Sequence, residues 1–117
     1  MSGLQTAPEK LSRPTAAALA LPHVLVADAD TDSRLRRARE LQSRGFRVSV
    51  ARTSFETIVK ASCQVPDLIL LDESLGADDV PITIELLTTC PATAHIPVVR
   101  LAAGRRVPAR ALRNLYP

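Results

Sequence analysis

Two unbroken apolar runs stand out along the chain, and each ends on an acid. Val24 to Ala27 is followed by Asp28, and Leu68 to Leu71 is followed by Asp72. Apolar runs of this length are typical of strands that are buried on both faces of a parallel sheet. Apolar and polar residues alternate over positions 46–51, as in an edge strand with one face closer to solvent. Residues 96–101 predict a fourth strand, which tolerates Pro97 near its start.

Segments with helical spacing follow each of the four predicted strands. The first helix begins near Thr31 and stops at Gly45, the second is capped by Thr53 or Ser54, the third has Pro81 in its first turn, and the fourth spans Val107 to Leu115. The side chains expected to face the sheet are Leu35, Ala38, Leu41 and Gln42; Phe55, Ile58, Val59 and Ser62; Ile82, Leu86 and Thr89; and Val107, Ala111, Leu112 and Leu115. The arginines at 34, 36, 37 and 39 are expected on the outer surface of the first helix.

The element order, a strand and then a helix four times over, predicts an α/β fold. Short connections between parallel strands favour right-handed crossovers, so the sheet should be parallel with helices on both faces. The length of 117 residues suits one domain, which we assign to residues 23–117. Residues 1–22 begin with a polar stretch that carries two prolines, and we expect a flexible N-terminal arm.

Composition narrows the class of protein. Thirteen of the fifteen basic residues are Arg, but the net charge is only +3 and is spread along the chain, which indicates solvated helix faces more than a nucleic-acid surface. The two cysteines lack the spacing of a zinc site or a disulfide framework. The apolar run from Thr15 to Ala27 faintly resembles a signal peptide, yet Pro22 and His23 interrupt it, and we expect a cytoplasmic protein.

The acids that follow the strands are the candidate functional residues. Ligands bind beyond the carboxyl ends of strands in open α/β sheets, and Asp72 and Asp28 are both expected there. The alternative, which remains open for Asp72, is that it only caps the turn after its strand. The chain has no Ser/His/Asp grouping and no Gly-rich phosphate loop, so an enzyme with its own turnover is not expected.

Three segments together carry a resemblance to a known family. They read V-L-V-A-D-A-D from Val24, P-D-L-I-L-L-D from Pro66 and P-A-T-A-H-I-P-V-V from Pro91. In this order and spacing, the chain from about His23 to Ala103 resembles the receiver domain of bacterial two-component response regulators. The resemblance implies a flavodoxin-like receiver fold.

The resemblance also implies roles for single residues. Asp72 matches the phosphoacceptor, whose carboxylate attacks a phosphoryl group. The reaction needs Mg²⁺, for which Asp28 and Asp72 are the implied ligands, with Asp30 as a weak third ligand through water. Capping of the helix that follows is the alternative role for Asp30. Because Ala29 stands where the family has a second acid, we expect Mg²⁺ to bind weakly or not at all.

The switch elements of the family are altered as well. Ala102 stands at the position of a Thr or Ser whose hydroxyl contacts the phosphoryl group, and Gly76 stands at a usual Pro. We expect no fifth strand and find no lysine beyond Lys60 to pair with the phosphoryl oxygens. Without a fifth strand, residues 96–101 become an apolar edge that should pair with a protein partner or a second copy. The expected interaction surface comprises Val98, Arg100, Arg105, Arg106, Leu112 and Leu115.

Three functions follow as alternatives. The first is a stand-alone pseudo-receiver that signals through protein-protein contacts, with phosphorylation lost or optional. The second is a working Mg²⁺-dependent phosphoacceptor that is served by a histidine kinase. The third, which the lack of a helix-turn-helix and of stacking aromatics disfavours, is nucleic-acid contact through the Arg-rich C-terminal helix.

Overall fold

A sheet of four parallel strands runs through the structure, a computed structural model in which residues 21–115 are described. The strands are β1 (His23–Ala27), β2 (Arg47–Ala51), β3 (Leu68–Asp72) and β4 (Val98–Leu101), in the order β2-β1-β3-β4. The predicted parallel sheet is confirmed, and residues 21–115 form no fifth strand. The flexible arm lies largely outside the described residues, whereas the second half of the signal-peptide-like run is described and forms β1, as expected.

A helix follows each strand, which confirms the predicted order of elements. The helices are α1 (Thr31–Ser43), α2 (Ser54–Gln64), α3 (Asp79–Thr89) and the short α4 (Ala109–Leu112), with 3-10 turns at Glu73–Leu75 and Arg113–Leu115. Asp30 caps α1 and Thr53 caps α2, each through its side-chain oxygen. Gly45 follows α1 with a φ of +93°, a conformation that glycine adopts without strain.

Apolar side chains pack on both faces of the sheet, as expected for an α/β fold. One face carries Leu25, Ala27, Ala51, Ala61, Ile69, Leu71, Leu75, Val80, Leu87 and Ile96, and these belong to the strands and to the α2/α3 side. The other face carries Val24, Val26, Leu41, Phe46, Leu68, Leu70, Leu101, Val107 and Leu112, on the side of α1 and α4. Since β1 and β3 contribute to both clusters, they are the buried centre of the domain.

The predicted inward face is wrong for the first helix. Ala38 and Leu41 are buried as expected, but Leu35 is 45% exposed and Gln42 is exposed. Arg37, which the pattern places on the surface, is only 2% exposed, and Arg34 is buried too. The reason is that α1 packs next to buried acids, so polar side chains are drawn to its inner face.

The predicted inward face of α2 is confirmed only at Ile58, which is half-buried against the core, and that of α3 is wrong. The buried residues are Thr57 and Ala61 on α2, and Val80, Thr83 and Leu87 on α3. The residues that are exposed instead are Phe55, Val59, Ser62, Ile82, Leu86 and Thr89. Each helix is therefore rotated about its axis relative to the prediction, which places Thr57 and Ala61 of α2 and Leu87 of α3 against the sheet.

The fourth strand and the last helix correct the expected interaction surface. The strand begins at Val98 and not at Ile96, and Val98 is half-buried. Leu112 is completely buried in the core against the α1 side of the sheet, so it is not available to a partner. Within residues 21–115, no helix is long and apolar enough to cross a membrane.

Truncation of Leu112 tests its place in the core. Because Leu112→Ala removes a fully buried side chain, we expect the free energy of unfolding to fall by about 2–5 kcal/mol in urea denaturation. Leu35→Ala, at a half-exposed site on α1, is the matched control and should cost less than about 1 kcal/mol. Equal effects of the two substitutions would contradict the assignment of Leu112 to the core.

Candidate functional site

Asp72 ends β3 and lies buried at the carboxyl edge of the sheet, where its side chain is 1% exposed. Its Oδ1 accepts a hydrogen bond from the backbone N–H of Ser74 at 2.7 Å, and its Oδ2 accepts one from the N–H of Gly104 at 3.3 Å. The bond to Ser74 makes Asp72 the cap of the 3-10 turn that follows. Asp72 therefore both caps the turn and places a buried carboxylate at the edge of the sheet where ligands bind in this fold class.

Asp28 follows β1, which pairs directly with β3, and is completely buried. Its Oδ1 accepts from the Asp30 N–H and from the Ser74 hydroxyl, both at 2.9 Å. Its Oδ2 accepts from the Ser33 hydroxyl at 2.5 Å. Ser74 thus holds the two acids together, since its N–H binds Asp72 and its hydroxyl binds Asp28.

Arg37 of α1 fills the space between the two acids and is the largest fully buried side chain of the described residues. Its Nη1 donates to Asp28 Oδ2 at 3.0 Å and also to Asp72 Oδ2. Its Nε and Nη2 donate to the Arg105 carbonyl at 3.1 and 2.5 Å, and Nη2 also reaches the Ala102 carbonyl at 3.3 Å. These contacts use all the N–H donors that a guanidinium possesses.

The charge of Arg37 compensates the burial of the acids. Burial, the largest influence, raises the pKa of Asp72, but the hydrogen bonds from Ser74 and Arg37 and the positive charge of Arg37 outweigh it and leave the pKa below its ordinary value. Arg34 adds a second cation nearby, since its Nη1 donates to the Asp28 carbonyl at 2.9 Å. Asp72 is therefore held in its ionised form at neutral pH, beside the positive charges of Arg37 and Arg34.

The arrangement does not fit the Mg²⁺ ion that the sequence resemblance implies. A hard cation needs several oxygens that are free to bind it. All four carboxylate oxygens of Asp28 and Asp72 already accept hydrogen bonds, and Arg37 Nη1 contacts an oxygen of each acid. Asp30 uses its Oδ2 to cap α1, accepting from the Ser33 N–H at 2.8 Å. Across residues 21–115, no group of three or more His, Cys, Asp or Glu is arranged to hold a metal.

The loop that follows β4 belongs to the same cluster. Ala102 is exposed and contributes only its carbonyl, which accepts from Arg37. Gly104, with a φ of +72°, donates its N–H to Asp72. Gly76, after the 3-10 turn, has a φ of +122°, which proline cannot adopt. The residue that replaces the usual proline therefore suits the backbone of this chain.

The remaining residues of the expected interaction surface lie near this loop. Arg100 pairs with Glu73, with 2.9 Å between Nε and Oε2, and Arg105 and Arg106 are exposed. Leu115 is half-buried against the core and adds little free surface. Since α4 has only four residues, it is too short to serve as a recognition helix in a DNA groove.

Sequence reasoning missed Arg37, although a signal was present. Ser33, Arg37 and Leu41 are spaced by four residues and share one face of α1, and Leu41 was correctly placed on the sheet side. Two acids at neighbouring strand ends also require a cation. The spacing and the need for a cation together indicate that Arg37 faces the acids, whereas the polarity of arginine alone would place it on the surface.

Comparison with solved structures shows what this fold is similar to. It is similar to the N-terminal domain of a response regulator receiver protein from Methanoculleus marisnigri JR1, with a TM-score of 0.65 and 28% identity over 79% of this chain and 74% of that one. It is also similar to the chemotaxis response regulator CheY4 of Vibrio cholerae, with a TM-score of 0.64 and 20% identity over 68% of this chain and 67% of that one.

A third similar structure is the non-phosphorylated HemR receiver domain from Leptospira biflexa, with a TM-score of 0.61 and 22% identity over 80% of this chain and 73% of that one. The likenesses to CheY4 and HemR are likenesses of fold alone. No protein-family model matches the chain, and no curated protein matches it in sequence.

Removal of the buried cation tests the electrostatics of the cluster. Arg37→Met leaves two buried acids without a counter-charge, so we expect the free energy of unfolding at pH 7 to fall by about 3–5 kcal/mol. The lowered pKa of Asp72 means that the contact stabilises the fold above the ordinary carboxyl pKa of about 3.9 and is lost as the pH falls through the lowered value. The difference between the two proteins should therefore shrink below about pH 4.

Arg39→Met, at an exposed position on the same helix, is the control for this measurement. It should change stability by less than about 0.5 kcal/mol at either pH. A cost for Arg37→Met that does not change with pH would show that packing, and not charge, accounts for the loss.

Proposed function

We propose that this chain, a receiver domain by its fold, is a pseudo-receiver that acts in signal transduction through contacts with other proteins and not through phosphorylation of Asp72. The single observation that carries the proposal is the position of Arg37 between Asp28 and Asp72. The guanidinium supplies, from within the chain, the positive charge that Mg²⁺ supplies in phosphoryl transfer to a carboxylate.

The burial of Asp72 supports the same conclusion. A carboxylate that attacks a phosphoryl group needs an accessible oxygen with a free lone pair. Asp72 is 1% exposed, and both of its oxygens accept hydrogen bonds from Ser74, Gly104 and Arg37. An incoming phosphoryl group would have to displace these donors.

The hydrogen bonds of the loop after β4 support the proposal that the surface of the domain does not change between two states. Arg37 donates to the carbonyls of Ala102 and Arg105, so the acids and the loop share one hydrogen-bonded side chain. Ala102 has no hydroxyl with which to sense a phosphoryl group. The loop is therefore held permanently by an internal cation, and the domain presents one surface to its partners.

A working phosphoacceptor is the second candidate, favoured by the placement of Asp28 and Asp72 side by side at the carboxyl ends of β1 and β3. In that case Arg37 leaves the acid pair, Mg²⁺ takes its place, and a histidine kinase is the natural phosphoryl source. The cost of this exchange is the loss of every hydrogen bond that Arg37 makes to the acids and the loop.

Intact mass after incubation with Mg²⁺ and acetyl phosphate separates the two candidates. We expect the wild-type protein to keep its mass, because Arg37 denies the metal its ligands. Asp72→Ala is the matched control, and an unrelated receiver domain with an intact acid set is the positive control for the donor. A gain of one phosphoryl group in the wild type that is absent in Asp72→Ala would favour the working phosphoacceptor.

A further inference from the structure

Two neighbouring helices carry large apolar side chains in solvent. Phe55 and Val59 of α2 are 78% and 42% exposed, and Ile82 and Leu86 of α3 are 54% and 49% exposed. Each pair is spaced by four residues and therefore lies on one face of its helix. We call these four residues the α2/α3 stripe.

The two helices are adjacent, so their exposed apolar faces lie on the same side of the sheet. They pack against each other on the same face of the sheet, where Ile58 and Ile84 fill the core beneath them. Their buried positions are Thr57 and Ala61 on α2 and Val80, Thr83 and Leu87 on α3, so the four residues of the stripe lie on the faces turned away from the sheet. Single exposed apolar residues are normal on a soluble protein, whereas four on neighbouring helix faces mark a docking surface.

On the α3 side, the charged residues near the stripe are all acidic. No Lys or Arg occurs between Lys60 and Arg100 in the sequence. Asp78, Asp79 and Glu85 are exposed, and among the described residues none of them forms an ion pair. A partner that covers the stripe would gain from apolar side chains in the centre and from Lys or Arg beside the acids.

We propose that the α2/α3 stripe docks an amphipathic helix of a protein partner, with an apolar face against the stripe and basic residues toward α3. An apolar surface formed by two side-by-side helices suits a helix with anchors at the spacing of successive turns. This inference rests on the proposed function, since it names the partner chemistry of the interaction module.

The chain's own basic segment is a poorer occupant. Arg110 and Arg113 are exposed, but the apolar residue of α4, Leu112, is completely buried. Leu115 is packed against the same core. The C-terminal segment of a second copy therefore offers the right charge without an apolar face, and the stripe of a second copy would bring its own acids toward Asp78, Asp79 and Glu85.

The test measures fluorescence anisotropy of two labelled synthetic helices with the full chain. One helix has Leu on one face and Lys on the other, and the second has Glu in place of every Lys. We expect the Lys helix to bind more tightly and salt to weaken its binding. Phe55→Ser and Ile82→Ser should each weaken it about tenfold or more, as substitution of central apolar anchors does.

Leu35→Ser is the matched control, because Leu35 is similarly exposed on α1, on the other side of the sheet. It should leave the affinity unchanged. Circular dichroism of each variant checks that the fold is kept. Equal binding of the two helices, absence of binding, or an equal loss in Leu35→Ser would overturn the proposal. A dimer in light scattering that Phe55→Ser dissociates would overturn it in favour of a second copy.

The result of the helix-binding test is independent of the result of the phosphorylation test. Phosphorylation of Asp72 would overturn the pseudo-receiver and leave the helix affinity as it is. Loss of helix binding, in a protein that gains no phosphoryl group, would overturn the docking surface alone.

Discussion

The contact of Arg37 with Asp28 and Asp72 is the interaction on which the rest of the carboxyl edge depends. Parallel pairing of β1 with β3 brings the two acids together, because Ala27 and Leu71, which precede them, are in register. Two buried carboxylates repel each other and lose hydration, so this geometry requires a cation. The cation here is covalently part of α1 and is always present.

A permanent internal cation changes what the site does. A bound ion or a phosphoryl group comes and goes, and a loop that responds to it has two states. Arg37 instead joins the acids to the carbonyls of Ala102 and Arg105 in one set of hydrogen bonds. The loop after β4 is thereby tied to the acids through one side chain, and under the proposed pseudo-receiver function the domain acts through surfaces that do not need to switch.

The face that carries α2 and α3 shows where such a surface is available. On α2 the residues buried against the sheet are Thr57 and Ala61, while Phe55 lies on the outer face at 78% exposure. Burial of the phenylalanine would have stabilised the domain by about 1.5–3 kcal/mol, so its exposure is a cost that the fold bears. A partner that covers Phe55 recovers that energy at the interface.

The sequence by itself determined the order of strands and helices, the parallel sheet and the position of Asp72, because apolar runs and caps act over a few residues. The pattern also predicted Asp28 at a strand end, and the resemblance implied its place beside Asp72, which the pairing of β1 with β3 shows. The inward faces of the helices are visible only in the folded domain, where α2 turns Thr57 and Ala61 to the sheet and Phe55 to solvent, against the order of their hydrophobicity. The burial of Arg37 is likewise a result of the tertiary structure. The pattern of α1 places arginine in solvent, and only the two buried acids at the end of the sheet make its burial favourable.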